Sequence, residues 1–275
     1  MPESKEEKII PASDSFKIRR VGEDEKLPFT AHLAELRYRL LASVISVLVC
    51  FAVCYFFIDT FIHVLETPIK SAIPDLKLTF LAPTEAFFVS MKVAFFAGIA
   101  FAWPAILYQA WMFIAPGLHK KERRFAFPLV TVGTLLLVMG ISFTYYIVLP
   151  VGLKFLIGFG QNYWTANIAV DYYLTFCVKL SLAFGLIFQL PLVIAILGKM
   201  ELVTSQQLKN FRSYSIVVAF IIAAILTPPD AISQCMMAVP LVILYEVSIY
   251  VVMLIEKKKG AEEPLDGTEK AAESK

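Results

Sequence analysis

The groups in this chain that could do chemistry are few and widely spaced. The three histidines, His32, His63 and His119, lie far apart. Neither HExxH, GxSxG nor GxxxxGK[ST] occurs, so metal-assisted hydrolysis, serine acyl transfer and phosphate-loop binding of ATP lack their machinery. Cys50, Cys54, Cys177 and Cys235 fall inside apolar stretches without metal-ligand spacing and read as buried free thiols. No catalytic residue, metal site or cofactor is expected. What remains is a set of acids and amides in unusual places. Glu35 shares a helical face with His32 and Arg39, opposite a face of Phe29, Leu33, Leu36 and Leu40; its plain structural role would be an i,i+4 ion pair with Arg39. Glu122 stands among Lys120, Lys121, Arg123 and Arg124, where it could simply pair with either arginine. Gln189 is centred in the uncharged run 180–198, where an unpartnered amide in a membrane is costly; it must face protein or water, and helix-to-helix hydrogen bonding is its structural alternative. Glu246 lies nine residues before Ile255, deep in another apolar run, and is either a functional ionisable group or a neutral, protonated one. Asp230 follows Pro228 and Pro229 and suits the N-terminus of the next helix, as cap and dipole partner.

The elements that must position these groups are membrane spans. The chain has 275 residues, 58% of them hydrophobic, and a mean hydropathy of +0.70, above the apolar share of ordinary globular domains. Uncharged runs cover 40–58, 93–118, 125–153, 180–198 and 213–229, and each approaches or exceeds the ~20 residues that cross a bilayer as a helix. The expected fold is an all-α integral membrane protein with six transmembrane helices at about 40–58, 87–115, 125–149, 171–198, 213–227 and 231–255. An amphipathic interfacial helix leads into the first span. A polar stretch holding Pro68, Pro74 and Pro83 separates the first two spans, and the last two form a hairpin with almost no outer loop. Lys179 sits inside the fourth span and is expected to snorkel to the nearer surface. Residues 1–26 and 257–275 read as disordered cytosolic tails around a membrane domain at 27–256.

Basic residues orient the chain. Of 25 Lys and Arg, 20 fall in the N-terminal region through Arg39, the loop 120–124, the segment 199–212 and the C-terminal tail. By the positive-inside rule both termini are cytosolic. The 17 uncharged residues between Arg212 and Asp230 span only about 26 Å as a helix, against a hydrocarbon core of about 30 Å. This short fifth span is expected to thin the bilayer locally.

Three phrases in this order, HLAELRYRL before the first span, FIAPGLHKKERR after the second and LTPPDAISQ between the fifth and sixth, resemble the TatC family, the signal-peptide receptor subunit of the twin-arginine protein translocase. The resemblance covers roughly residues 27–256. It implies a curved six-helix cup whose concave wall carries a polar residue in span four, here Gln189. It also implies that Glu35 and Glu122 receive the paired arginines of signal peptides on folded cargo, with Arg37, Phe113, Pro116 and Arg123 beside them. That chemistry is sound, because a carboxylate can accept the rigid guanidinium fork in bidentate fashion, whereas lysine offers only a point charge. The four cations around Glu122 must then turn toward lipid phosphates to spare an incoming arginine pair their repulsion. Glutamate also occurs in the family at the place of Gln189, so no protonatable carboxylate is required there, and a hydrogen-bonding or hydrating role fits better. Pro68 in the first outer loop and Asp230 and Gln234 at the hairpin match positions implicated in structure or partner assembly. The same resemblance implies small single-span partner subunits of the TatA and TatB type, homo- and hetero-oligomers, the proton motive force as energy source and a bacterial or archaeal cytoplasmic membrane. Nucleic acid is not an expected partner.

Two other functions compete. A secondary transporter would carry two related halves with interrupted helices at matching places, and no convincing internal repeat is found. An intramembrane enzyme would need a motif such as HExxH or GxSxG, and neither occurs, while the three histidines are widely separated.

Overall fold

The structure, a computed structural model, describes residues 29–73, 78–114, 126–160, 167–226 and 231–272. These are almost entirely helical: α1 (Phe29–Phe56), α2 (Ile58–Ala72), α3 (Glu85–Ile114), α4 (Ala126–Phe143), a π-helical turn (Thr144–Val148), α5 (Leu149–Gly160), α6 (Val170–Ile187), α7 (Leu190–Lys199), α8 (Ser205–Asn210), α9 (Arg212–Leu226) and α10 (Ala231–Ala272). Among the described residues the extended structure is a single bridge between Thr79 and Ala169.

Five stretches, His32–Phe56, Glu85–Ile114, Ala126–Gly158, Val170–Lys199 and Gln234–Lys258, are long and apolar enough to cross a membrane. The remaining expected span, the fifth, is α9, which is apolar but has only 15 residues, a rise of about 22 Å. The shortness anticipated for this span is therefore present in the helix itself. Leu33, Leu36, Leu40, Val44 and Leu48 on α1 are exposed, which suits a helix solvated by lipid chains rather than water. The buried core centres on α6, where Leu174, Cys177 and Phe184 are fully covered and join Ile69, Val89, Val93, Leu149, Met237 and Leu241 from surrounding helices. Helices meet where side chains are missing. A Cβ on Gly98 would lie 2.8 Å from the Phe51 backbone of α1, and one on Gly140 would lie 2.7 Å from the Phe184 carbonyl of α6. Such small-residue contacts let helix backbones approach in a membrane, where apolar side chains gain little from leaving lipid.

Three departures from the expected boundaries have local causes. The stretch after span one is α2, a helix with Pro68 inside it. Pro68 has no N–H for the Val64 carbonyl, four residues back, and the hydroxyl of Tyr145 donates to that carbonyl instead at 3.0 Å. Tyr145 sits in the π turn, which precedes Pro150; a wider turn accommodates a residue that cannot continue the i→i−4 ladder. The helix then runs on through α5, past the expected end at 149. The fourth span is two helices, because Pro191 cannot donate to Ile187 and the chain kinks through Phe188 and Gln189.

At the other end, α10 continues past 255, the expected end of the sixth span, and is helical through Ala272. The Lys, Glu and Ala residues beyond Ile255 favour this continuation of a helix already nucleated, while Gly260, Pro264 and Gly267 within it oppose it.

Candidate functional site

Glu35 and Arg39 lie one turn apart on α1, and the sequence spacing places His32 on the same face. In the structure that face meets α3. Arg39 donates twice to one oxygen of Glu35, from Nη2 at 2.6 Å and from Nε at 2.9 Å. Its third nitrogen, Nη1, donates to Gln109 Oε1 on α3 at 3.2 Å. About one turn further along both helices His32 stacks on Phe113, with ring centroids 4.4 Å apart and planes 13° from parallel. Glu35 and Arg39 keep 22% and 18% of their side-chain surface, so the pair is largely covered yet reachable. Arg37 points to the exposed side of α1. The structure thus brings Glu35 and Phe113 into one seam and leaves Arg37 outside it. Glu122, Pro116, Arg123 and Asp230 lie outside the described residues.

Gln189 is buried, 6% exposed, at the kink between α6 and α7. Its amide nitrogen donates to the Gly133 carbonyl of α4 at 3.0 Å and more weakly to Gly185 at 3.4 Å. Its oxygen has no partner among the described residues. Gly133 makes the approach possible, since a Cβ there would lie 2.5 Å from Leu107 Cδ1 and 3.3 Å from Gln189 Oε1.

Glu246 forms a side-on fork with Arg212, Nε to Oε1 at 2.6 Å and Nη2 to Oε2 at 2.7 Å. Arg212 is the first residue of α9, so Glu246 sits level with the end of a neighbouring helix, beside Tyr245, whose hydroxyl donates to the Leu208 carbonyl. Glu246 lies at the middle of the apolar stretch Gln234–Lys258, and its carboxylate there is paired with Arg212 rather than alone. Gln234 donates to the Phe220 carbonyl at 3.1 Å and ties α10 to α9. Pro68 is buried within α2, and its role is the freed Val64 carbonyl described above.

Sequence reasoning missed several polar partners. Gln109 is one turn before Phe113 on α3, a signal that was readable once Phe113 was placed. Lys92 pairs with Asp171 at 2.6 Å, Thr175 donates to the same carboxylate oxygen at 2.9 Å, and Glu85 accepts from the Asp171 backbone N–H at 2.9 Å. Together with the Thr79–Ala169 bridge these contacts fasten the α2–α3 connection to the start of α6. Glu256 of α10 accepts from the backbone and hydroxyl of Ser205 and so adds to the Thr204–Gln207 capping box that starts α8. Among the described residues no three His, Cys, Asp or Glu side chains are grouped to hold a metal ion.

Comparison with known proteins fits this architecture. The family described as Sec-independent protein translocase protein (TatC) matches residues 31–240. The Sec-independent protein translocase protein TatC of Desulforapulum autotrophicum is 42% identical over 253 residues, 92% of each chain. That of Aquifex aeolicus is 43% identical over 235 residues, 85% of this chain and 98% of its own. A crystal structure of a twin arginine translocase receptor, TatC, superposes with a TM-score of 0.75 at 42% identity, covering 82% of this chain and 99% of its own. The all-helical membrane fold, the role in protein transport and the absence of an enzymatic assignment follow, and the small-solute transporter and the intramembrane enzyme are set aside. This multi-pass membrane chain belongs to the TatC family of Sec-independent protein translocase proteins.

Proposed function

We propose that the chain is the receptor subunit of a twin-arginine translocase, binding signal peptides of folded cargo through Glu35 and Glu122 on the cytosolic face of a bacterial cytoplasmic membrane. The observation that carries this reading is the α1–α3 seam. A carboxylate that is only 22% exposed stands at the membrane-entering end of α1, held at one oxygen and flanked by the His32–Phe113 stack. A covered carboxylate with a fixed direction suits a guanidinium, which supplies rigid N–H donors. The solved relative described as a twin arginine translocase receptor supports the same assignment.

The distribution of Lys and Arg supports six crossings with both termini cytosolic, α9 being the short one. Glu122 joins Glu35 as the second acid, with Arg37, Pro116 and Arg123 around them, while Asp230 and Gln234 belong to contacts with small single-span partner subunits in a hetero-oligomer. The resemblance to the translocase family makes the proton motive force the proposed energy source, and the sequence holds no GxxxxGK[ST] loop for ATP.

The test is site-specific photocrosslinking from neighbours of Glu35 and Glu122 to a twin-arginine signal peptide, with a Lys-Lys peptide as control. Crosslinks confined to the Arg-Arg peptide and lost in Glu35→Ala and Glu122→Ala are expected. Equal crosslinking of both peptides, or crosslinks that survive both substitutions, would sink the receptor reading.

A further inference from the structure

Arginine–carboxylate pairs frequently take the fork, one N–H on each carboxylate oxygen. Arg39 does not. Both of its donors to Glu35 fall on Oε1, and its third nitrogen is occupied by Gln109 on the facing helix. With one end of the guanidinium tied to α3, Arg39 is turned so that Glu35 Oε2 receives no bond among the described residues. The fork seen at Arg212 and Glu246, which uses both oxygens, shows the arrangement that the α1–α3 seam avoids.

We infer that Arg39, held by Gln109, is a positioning residue that sets specificity at Glu35, a step that rests on the receptor reading above. It does two things. It leaves one carboxylate oxygen, fixed in direction, for a guest. It also offsets the charge of Glu35, so a guest gains little from being merely positive and must gain from directed N–H donors. Lysine, a strongly hydrated point charge, loses most under these terms, while arginine keeps its rigid donors. Discrimination between the two is therefore produced by the residue that already occupies half of the acid. Gln109 contributes by preventing Arg39 from rotating into the fork and covering Oε2.

The experiment measures binding of an Arg-Arg signal peptide and its Lys-Lys counterpart to the full-length chain in nanodiscs, as a ratio on one preparation, so that any unfolded fraction cancels. Arg39→Gln should lower the Arg-to-Lys ratio roughly tenfold, the effect of about one charge-assisted hydrogen bond, chiefly by improving Lys-Lys binding. Gln109→Leu should weaken Arg-Arg binding severalfold, and Gln109→Glu, which keeps an acceptor oxygen for Arg39, should restore it. Glu35→Ala separates the two levels of argument. If it leaves the ratio unchanged, the receptor reading at Glu35 fails. If it abolishes the ratio while Arg39→Gln and Gln109→Leu shift both peptides equally or not at all, the positioning role is overturned and the receptor reading stands.

Discussion

Replacing Tyr145 by Phe removes the hydroxyl that donates to the Val64 carbonyl at 3.0 Å. In an uninterrupted helix the N–H of residue 68 would hold that carbonyl, and Pro68 has none. A neutral hydrogen bond contributes about 0.5–1.5 kcal/mol net. Val64 is 45% exposed, so solvent would compensate the freed carbonyl in part, and the expected cost of Tyr145→Phe lies near 0.5–1 kcal/mol. Pro68→Ala returns the missing donor from within α2, and the Tyr145 hydroxyl then becomes the second donor to a carbonyl already satisfied. In that background Tyr145→Phe orphans no acceptor and should cost little. The cycle therefore predicts a coupling of about 0.5–1 kcal/mol, a roughly two- to fivefold change in the folding equilibrium. Reversible unfolding of the four purified proteins by SDS titration in mixed micelles measures it. Additivity of the two substitutions to within about 0.3 kcal/mol would show that the tyrosine does not stand in for the proline's missing donor.

Gln189→Met exchanges one interhelical hydrogen bond, about 0.6–1.7 kcal/mol in a membrane, for relief of a buried unpartnered oxygen, about 1–3 kcal/mol; the variant should be as stable as the parent or more so by up to ~2 kcal/mol, and a clear loss in the same titration would make the amide a structural staple. Gly140→Ala places a methyl against the Phe184 backbone, which cannot step aside, and should cost about 1–3 kcal/mol, whereas Gly158→Ala meets nothing within 4 Å and should stabilise α5 by about 0.5–1 kcal/mol. Thermal scans of the two variants should move in opposite directions. Glu256→Ala removes the acceptor of the Ser205 N–H and hydroxyl while the Thr204–Gln207 capping box stays, so hydrogen exchange should accelerate at Ser205–Asn210 while the global unfolding midpoint stays in place.

How much of this was legible in the sequence varied with the kind of signal. The long apolar helices followed from uncharged runs, and the exposed apolar face at the start of α1 from the spacing of Leu33, Leu36 and Leu40, because both are one-dimensional consequences of lipid as solvent. The short α9 was readable for the same reason. The helix α2 was not, since Pro68 reads as a breaker until the Tyr145 hydroxyl, supplied from a distant segment, is known. The π turn has no period of its own to detect. Glu246 illustrates a register effect: its partner Arg212 lies 34 residues away, and the match depends on where α9 starts relative to α10. At the site, the His32–Glu35–Arg39 face was visible, but what it faces was not. Gln109 became meaningful only when α3 was laid against it.

The turn at Phe57 gives α1 the mechanics of a rod hinged at one end. Beyond it α2 is anchored by two tyrosine hydroxyls, Tyr145 on Val64 and Tyr173 on Leu65, while α1 itself packs chiefly on α3. Its 28 residues reach about 42 Å, and Arg39 lies some 26 Å from the hinge. A tilt of about 2° there displaces Arg39 by nearly 1 Å, enough to part a hydrogen bond whose useful range is only a few tenths of an ångström. Under the proposed receptor reading, a guest at the tip of this lever thus needs very little angular travel to part the Arg39–Gln109 bond, while Tyr145 and Tyr173 hold α2 beyond the turn.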